Sequence, residues 1–488
     1  MQQPGAPLDP RRWLILAVVG LAQLMVVLDT TIVNIALPSA QRSLGFSNDS
    51  RQWIITGYAL SFGGLLLLGG RLGDIFGRKR VFIIGLIGFA TASGIGGVAP
   101  SFIVLVSARA LQGAFGALLA PAALSLLTTT FTEPGERGKA FGVFGAIVGS
   151  GAAVGLLLGG LLTEYLSWRW CLYVNVILAV PIAFAAMRLL RNEAGSETRR
   201  IDVPGALSCV GGLFALVYGF SSAETHGWGA AITIGALIAA PVLLVSFVVI
   251  ERRVAHPLLP MRIVLNRARG GSYIAIAVVG AGLFGVFLFL TYYLQQTLHF
   301  SPVETGLAFL PMMGTVMFTA TLGSSLLVPR FGPRPLVTVG MVAAAFAMVL
   351  FTRVTVDSAY ASHVLPGLLL MGVGLGLVLA PAMSTATAGV DPSDAGIASA
   401  MVSTGQQVGG SVGTALLSSI SASAVSSYLV GHARTQNLVA AANVHGYTTA
   451  FWWAAGIFAA GAIICGALLP NHVAEVEPDA TAQPAFGH

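Results

Sequence analysis

Two residues of opposite charge stand where a membrane-length apolar run would be cheaper without them. Asp29 sits in Leu28-Asp29-Thr30-Thr31-Ile32-Val33-Asn34, inside the apolar run from Trp13 to Leu37. A carboxylate inside a bilayer is expensive and is seldom kept without a use. Burial favours its neutral form and a nearby cation favours its charged form, so such an acid can shuttle a proton or meet a cationic ligand. Arg109 lies in a second apolar run, seven residues after Phe102, and Asp29 lies nine residues before Pro38, read as the end of its span. At 1.5 Å per residue these positions are about 13 Å deep for Asp29 and about 10 Å for Arg109, measured from the same face. Similar depth and opposite sign predict a shared cavity, with Asp29 taking up a proton and Arg109 tuning its affinity. The plainer alternative is an ion pair that only makes helix packing specific.

A second charged group follows the second apolar run: Gly70-Arg71-Leu72-Gly73-Asp74-Ile75-Phe76-Gly77-Arg78-Lys79-Arg80. Glycines permit a tight turn there, and Asp74 and Arg78 can pair locally or reach another helix end. Read alone, the same stretch is also a basic loop that merely sets topology. Polar and aromatic residues on spans able to line a cavity are Asn34, Trp53, Tyr58 and Gln112 in the first half, and Phe284, Phe287, Tyr292, Gln295 and Gln406 in the second. Their alternative is packing or lipid contact, and Trp53 and Trp168 at span ends read equally as interfacial anchors. Glu164 and Glu224, near the same face as Asp29, are candidate helpers in proton uptake. No Ser-His-Asp grouping, HExxH or metal-spaced cluster occurs, so neither an enzyme nor a metal site is expected. Cys171, Cys209 and Cys465 form no CxxC, which argues against a zinc site and a disulfide framework.

These residues need membrane helices to hold them. Of 488 residues 56% are hydrophobic and only 9% charged, with a mean hydropathy of +0.84. A soluble domain carries about 25% charged residues, so the surface faces lipid. The pI of about 9.5 does not point to nucleic acid, because the basic residues are scattered through short loops without interleaved aromatics. At about 20 apolar residues per crossing, fourteen spans are expected: 13–37, 53–70, 81–99, 102–127, 140–163, 170–187, 204–223, 230–250, 273–298, 304–327, 335–352, 364–388, 397–421 and 448–469. The first is too long for a signal-peptide core and is read as a retained span. With both termini in the cytoplasm, nineteen Lys and Arg fall inside and five outside, and the remaining one is Arg109. That asymmetry follows the positive-inside rule. Stretches 188–203 and 251–272 divide the chain into a six-helix bundle over 1–190, two inserted helices over 191–272, a second six-helix bundle over 273–470, and a polar tail over 471–488, expected to be disordered.

The motifs together resemble the major facilitator superfamily, and within it the fourteen-span drug:proton antiporters of the EmrB/QacA type. The 70–80 stretch is similar to the superfamily's Gly-x-Leu-x-Asp-x-x-Gly-Arg-Lys/Arg loop. Arg109-Ala110-Leu111-Gln112-Gly113 is similar to its Arg-x-x-Gln-Gly element. Span one resembles Leu-Asp-x-Thr-Ile-Val-Asn-x-Ala-Leu-Pro, and Trp168-Arg169-Trp170 with Asn175, Asp202-Val203-Pro204-Gly205, the Pro257 to Arg269 stretch and Gly372-Val373-Gly374-Leu375-Gly376 with Pro381 also look like that family. Gly142, Gly151, Gly155, Gly159 and Gly160 are spaced like the antiporter motif, but Leu156 stands where that motif has proline, which weakens the inference of antiport. The stretch from Gly323 to Arg334 echoes the 70–80 loop without its acid, as a diverged parallel repeat would.

The resemblance implies an all-α integral membrane protein of the major facilitator fold, with two six-helix bundles around a cavity and two additional central helices. It implies a proton-coupled multidrug exporter of the inner or plasma membrane that works by alternating access. No cofactor is expected beyond the proton gradient. The expected partners are membrane lipids, protons and an amphipathic small molecule, with the protein a monomer. Asp74, with Arg71, Arg78, Gly70 and Gly77, carries over as a conformational latch, and Gly151, Gly155, Gly159 and Gly160 as close-packing positions. The alternatives are a dedicated exporter of one self-made product, such as an antibiotic, siderophore or lipid, and a non-transporting receptor or scaffold.

Overall fold

The computed structural model describes residues 10–47, 50–131, 134–191, 202–254, 257–388, 390, 395–430 and 435–471. The elements are α1 (Arg12–Leu44), α2 (Gln52–Phe76), α3 (Arg78–Gly97), α4 (Phe102–Thr130), α5 (Pro134–Tyr165), α6 (Trp170–Leu189), α7 (Val203–His226), α8 (Ala231–Glu251), α9 (Met261–Val264), α10 (Arg267–Tyr292), α11 (Pro302–Leu322), α12 (Val328–Phe331), α13 (Pro333–Phe351), α14 (Leu365–Thr387), α15 (Ala395–Leu429) and α16 (Gln436–Leu468). Wider π turns lengthen α10 over Tyr293–Thr297 and α11 over Gly323–Leu327, and lead into α14 over Tyr360–Val364. Among the described residues thirteen helices are long and apolar enough to cross a membrane. The fourteenth is the 32-residue α5, several of whose side chains lie outside the description. The chain is therefore a multi-pass membrane protein with two six-helix bundles and two helices between them. Of the tail expected over 471–488, only Asn471 is among the described residues.

Several helices overrun the apolar stretches that announce them. Pro38, read from the sequence as the end of the first span, lies inside α1, which continues to Leu44 and stops at Gly45, where φ is 69°. Proline is tolerated inside membrane helices because its neighbours absorb the lost hydrogen bond. The 70–80 stretch is not a loop either. α2 continues through Gly70 and Gly73 to Phe76, and the chain turns at Gly77 alone, where φ is 90°. Only Gly77 needs the conformational freedom that the sequence reading gave to the whole stretch. Gly332, with φ 75°, makes the matching turn before α13, so the weak sequence echo between 70–80 and 323–334 corresponds to the same backbone device used twice.

Small residues let the helices approach closely, as packing in lipid requires. Gly113 of α4 sits against the backbone of Tyr58 and Phe62 on α2, and Gly85 of α3 against Leu119 of α4. In the second bundle Gly372 and Gly376 of α14 receive Thr315 and Thr319 of α11. Helix α8 presents large apolar side chains such as Ile238, Val242 and Val245 outward. Its partner α7 packs on both α2 and α15, where Leu60, Leu213, Val217 and Ala415 form one cluster. The inserted pair is thus peripheral only in α8; α7 bridges the seam between the bundles.

At the end of the molecule away from the termini the bundles meet directly. Gly160 of α5 abuts Pro302 and Val303 of α11, and Gly306 of α11 abuts the Leu156 carbonyl. Glu164 accepts the Val303 N–H at 3.0 Å. Gln295 donates to the Ile35 carbonyl at 3.1 Å. The Arg51 guanidinium, before α2, lies 4.0 Å from the ring centre of Tyr292 on α10 and 5.8 Å from that of Tyr447 on α16.

Candidate functional site

Asp29 is fully buried and Arg109 is 2% exposed. Helices α1 and α4 bring them together: Arg109 Nη1 donates to Asp29 Oδ2 at 2.6 Å. The other carboxylate oxygen, Oδ1, accepts from the Gln112 amide at 2.8 Å and from the Asn175 amide of α6 at 2.7 Å. Both amides also donate to the Ser93 hydroxyl of α3, at 3.1 and 3.0 Å, and that hydroxyl donates to the Leu172 carbonyl at 2.8 Å. Arg109 has further partners in the Gln112 side-chain oxygen at 2.6 Å, the Ile54 carbonyl at 3.4 Å and the face of Tyr58, 4.3 Å from its ring centre.

The arrangement follows from helix periodicity. Arg109 and Gln112 are three residues apart and share one face of α4, which meets the polar face of α1. The guanidinium is satisfied by a carboxylate, an amide oxygen, a carbonyl and an aromatic face, which offsets the desolvation of a buried charge. Asp29 accepts three hydrogen bonds, so the geometry suits its ionised form. When a donor withdraws, the carboxylate oxygen it leaves is open to a proton. Among the described residues Arg109 is the one donor to Oδ2, and its other contacts can hold it when it leaves. A narrow apolar cleft lined by Val33, Leu37, Leu105 and Trp168 runs to Arg109 from one side.

The sequence-predicted residues divide into separate groups. Asp29, Arg109, Gln112 and Tyr58 come together as expected, packed without the expected open cavity around them. Asn34 donates to the Thr30 carbonyl of its own helix at 2.8 Å. Trp53 faces Tyr218 of α7 at 6.4 Å, away from the cluster. Phe287 packs on Phe309, and Phe284 fills the space beside Gly410. The Gln406 backbone carries the close approach of Gly280. Tyr292 and Gln295 belong to the contact between bundles. Trp168 is buried with Arg169 over its ring and is no exposed interfacial anchor, because the α5–α6 turn folds it inward.

Gly151, Gly155 and Gly159 lie against Val27, Thr31 and Ile32 of α1, and Gly160 against α11. The Asp74 and Glu224 side chains, and the surroundings of Gly142, lie outside the description. Neither Asn175 nor Ser93 is expected at the site from chemistry: Asn175 enters the sequence reading only beside Trp168-Arg169-Trp170 in the family resemblance, and Ser93 only as a polar residue within an apolar helix. Among the described residues no group of three or more His, Cys, Asp or Glu could hold a metal.

Residues 19–414 match the family model described as Major Facilitator Superfamily. The chain is 51% identical over 465 residues to the puromycin resistance protein of Streptomyces alboniger, covering 95% of this chain and 92% of that relative. It is 40% identical over 411 residues to a cephamycin export protein of Amycolatopsis lactamdurans, covering 83% and 84%. Among solved structures, an auto-inhibited POT family peptide transporter overlays with a TM-score of 0.69 at 16% identity, covering 94% of this chain and 96% of that one. That last likeness speaks for the fold alone.

Proposed function

The chain belongs to the major facilitator superfamily, and on that premise we propose that it is a proton-coupled exporter of amphipathic, antibiotic-like small molecules. The observation that carries this reading is the buried Asp29 carboxylate held by Arg109, Gln112 and Asn175. A proton entering from outside displaces Arg109 from Oδ2, neutralises Asp29 and leaves the cation on Gln112, Ile54 and Tyr58. The charge rearrangement between α1 and α4 biases the two bundles between their arrangements, and release of the proton to the cytoplasm restores the ion pair. One buried acid at the site gives one proton per cycle, which fits a monovalent or neutral cargo.

In this reading the termini are cytoplasmic and the contact through Gly160, Gly306, Gln295 and Arg51 is the closed outer gate of a plasma-membrane protein. The energy source is the proton gradient alone. A puromycin resistance protein and a cephamycin export protein among its relatives support cargo of antibiotic type. They favour a dedicated exporter of one self-made compound as strongly as a broad drug exporter.

The test is reconstitution in vesicles with an internal pH probe, adding puromycin, lipophilic cations and neutral drugs to wild type and Asp29→Asn. Asparagine mimics the protonated acid, a form the cycle itself visits, so the variant folds. Substrate-triggered proton movement in wild type, reduced at least tenfold in the variant (about 1.4 kcal/mol of coupling), is the expected result. Coupled transport undiminished in Asp29→Asn would reduce the Asp29–Arg109 pair to a packing device. A response to one compound alone selects the dedicated exporter.

A further inference from the structure

The inserted hairpin closes on two acids that the transport cycle does not use. Asp202 and Glu251 are 5% and 3% exposed. Asp202 caps α7, its Oδ1 accepting the Gly205 N–H at 2.9 Å. Glu251 ends α8, and its Oε2 accepts the Leu259 N–H at 2.9 Å from the segment leading into the second bundle. The other oxygen of each, Asp202 Oδ2 and Glu251 Oε1, is buried with no hydrogen-bond partner. The two converge over Gly205: a Cβ there would lie 2.9 Å from Glu251 Oε1 and closer still to Asp202 Oδ2. The two unpartnered oxygens thus face each other across the position that a side chain at residue 205 would occupy.

Ionised carboxylates only accept hydrogen bonds. Two of them buried side by side repel, and each orphaned oxygen adds a desolvation cost. A single proton removes both penalties, because it turns one oxygen into a donor to the other. We propose that Asp202 and Glu251 bind one proton between them, forming a proton site separate from Asp29. The shared proton ties the start of α7, the end of α8 and the chain before α9 into one unit.

Among the described residues no ion pair joins a cation to Asp202 or Glu251. Cys209 of α7 is the other titratable group in electrostatic contact with Glu251. Arg252 and Arg253, next in the chain, and Arg262 of α9 are exposed. Helix α15, packed along α7, carries no charged residue between Ala395 and Leu429. Arg71 of α2 is not among the groups acting on Glu251. Asp74, Arg199, Arg200 and His256 lie outside the described residues or have side chains that do.

The pair is tested by infrared difference spectra of the purified full chain across a pH titration. A protonated-carboxyl band present near neutral pH should disappear in Glu251→Gln and in Asp202→Asn, and persist in Asp29→Asn. A band that survives in both hairpin variants, or vanishes only in Asp29→Asn, overturns the proposal. Thermal unfolding gives a second reading. The native pair holds a proton that the unfolded acids have released, so wild-type stability falls as pH rises from about 4.5 to about 7. In Glu251→Gln the amide donates to Asp202 without a proton, and that slope is lost. Equal slopes in wild type and variant would also sink the idea. Because Asp29 is intact in these variants, substrate-triggered proton movement is expected to persist in them, so this site and the transport reading stand or fall separately.

Discussion

Asn175 makes the same bond to Asp29 Oδ1 that Gln112 makes, and both favour the ionised acid. Removing one such donor leaves the carboxylate less stabilised, by about 1.5–3 kcal/mol for a hydrogen bond to a charged group. Asn175→Ala should therefore loosen the network that holds Asp29 against Arg109. Substrate-triggered proton movement in vesicles is expected to fall about tenfold or more, with the purified protein still folded. Wild-type coupling in the variant would make Asn175 a packing residue. At this scale the sequence was legible where charge was involved. Asp29 and Arg109 announce themselves because an ion in hydrocarbon is costly. Asn175 and Ser93 do not, since neutral polar residues are common in membrane helices and these two acquire meaning only when α3 and α6 bring them to the acid.

Helices α5 and α11 meet through Gly306 and the Leu156 carbonyl, which lies 2.6 Å from where a Cβ on Gly306 would be. Backbone cannot yield as a side-chain tip can, so Gly306→Leu should hold the two helices apart at a cost of about 1–3 kcal/mol. The expected phenotype is a raised proton leak in vesicles without substrate, with the purified protein still folded; a leak equal to wild type would remove this contact from the gate. The resemblance that gave Gly151, Gly155 and Gly159 a packing role named their spacing. Their partner α1, and the division of labour by which Gly160 faces the other bundle, became visible only in three dimensions. Helix ends were read short, at Pro38 and Gly70, because in lipid neither residue type has to end a helix: proline's lost bond is absorbed by neighbours, and Gly70 simply faces Pro121.

For the whole molecule, Arg51 is the one cation described here that lies over tyrosines of the opposite bundle. A desolvated contact of this kind is worth about 2 kcal/mol, or roughly a thirtyfold shift between closed and open forms. With Cys171, Cys209 and Cys465 replaced, a cysteine at the buried Leu294 should react slowly with a water-soluble maleimide and about tenfold or more faster when Arg51→Ala is added. Equal rates would count against Arg51 as a clasp. The fourteen-helix plan and the two-bundle division were readable from hydropathy and the basic loops. The bridging position of α7 was not: its sequence is less apolar than that of lipid-facing α8, but a lower hydropathy does not say which helices it lies against.

That bridging helix makes the two sides of the protein unequal toward the bilayer. The seam between α2 and α15 is roofed by α7, whose Ser221 accepts a hydrogen bond from Gln52 of α2 at 3.1 Å. The inserted helices make no comparable contact with α5 or α11. On the exporter reading, the inserted hairpin is a wall along one side of the molecule, and the α5–α11 side is the direction from which we propose that a lipid-dissolved cargo approaches.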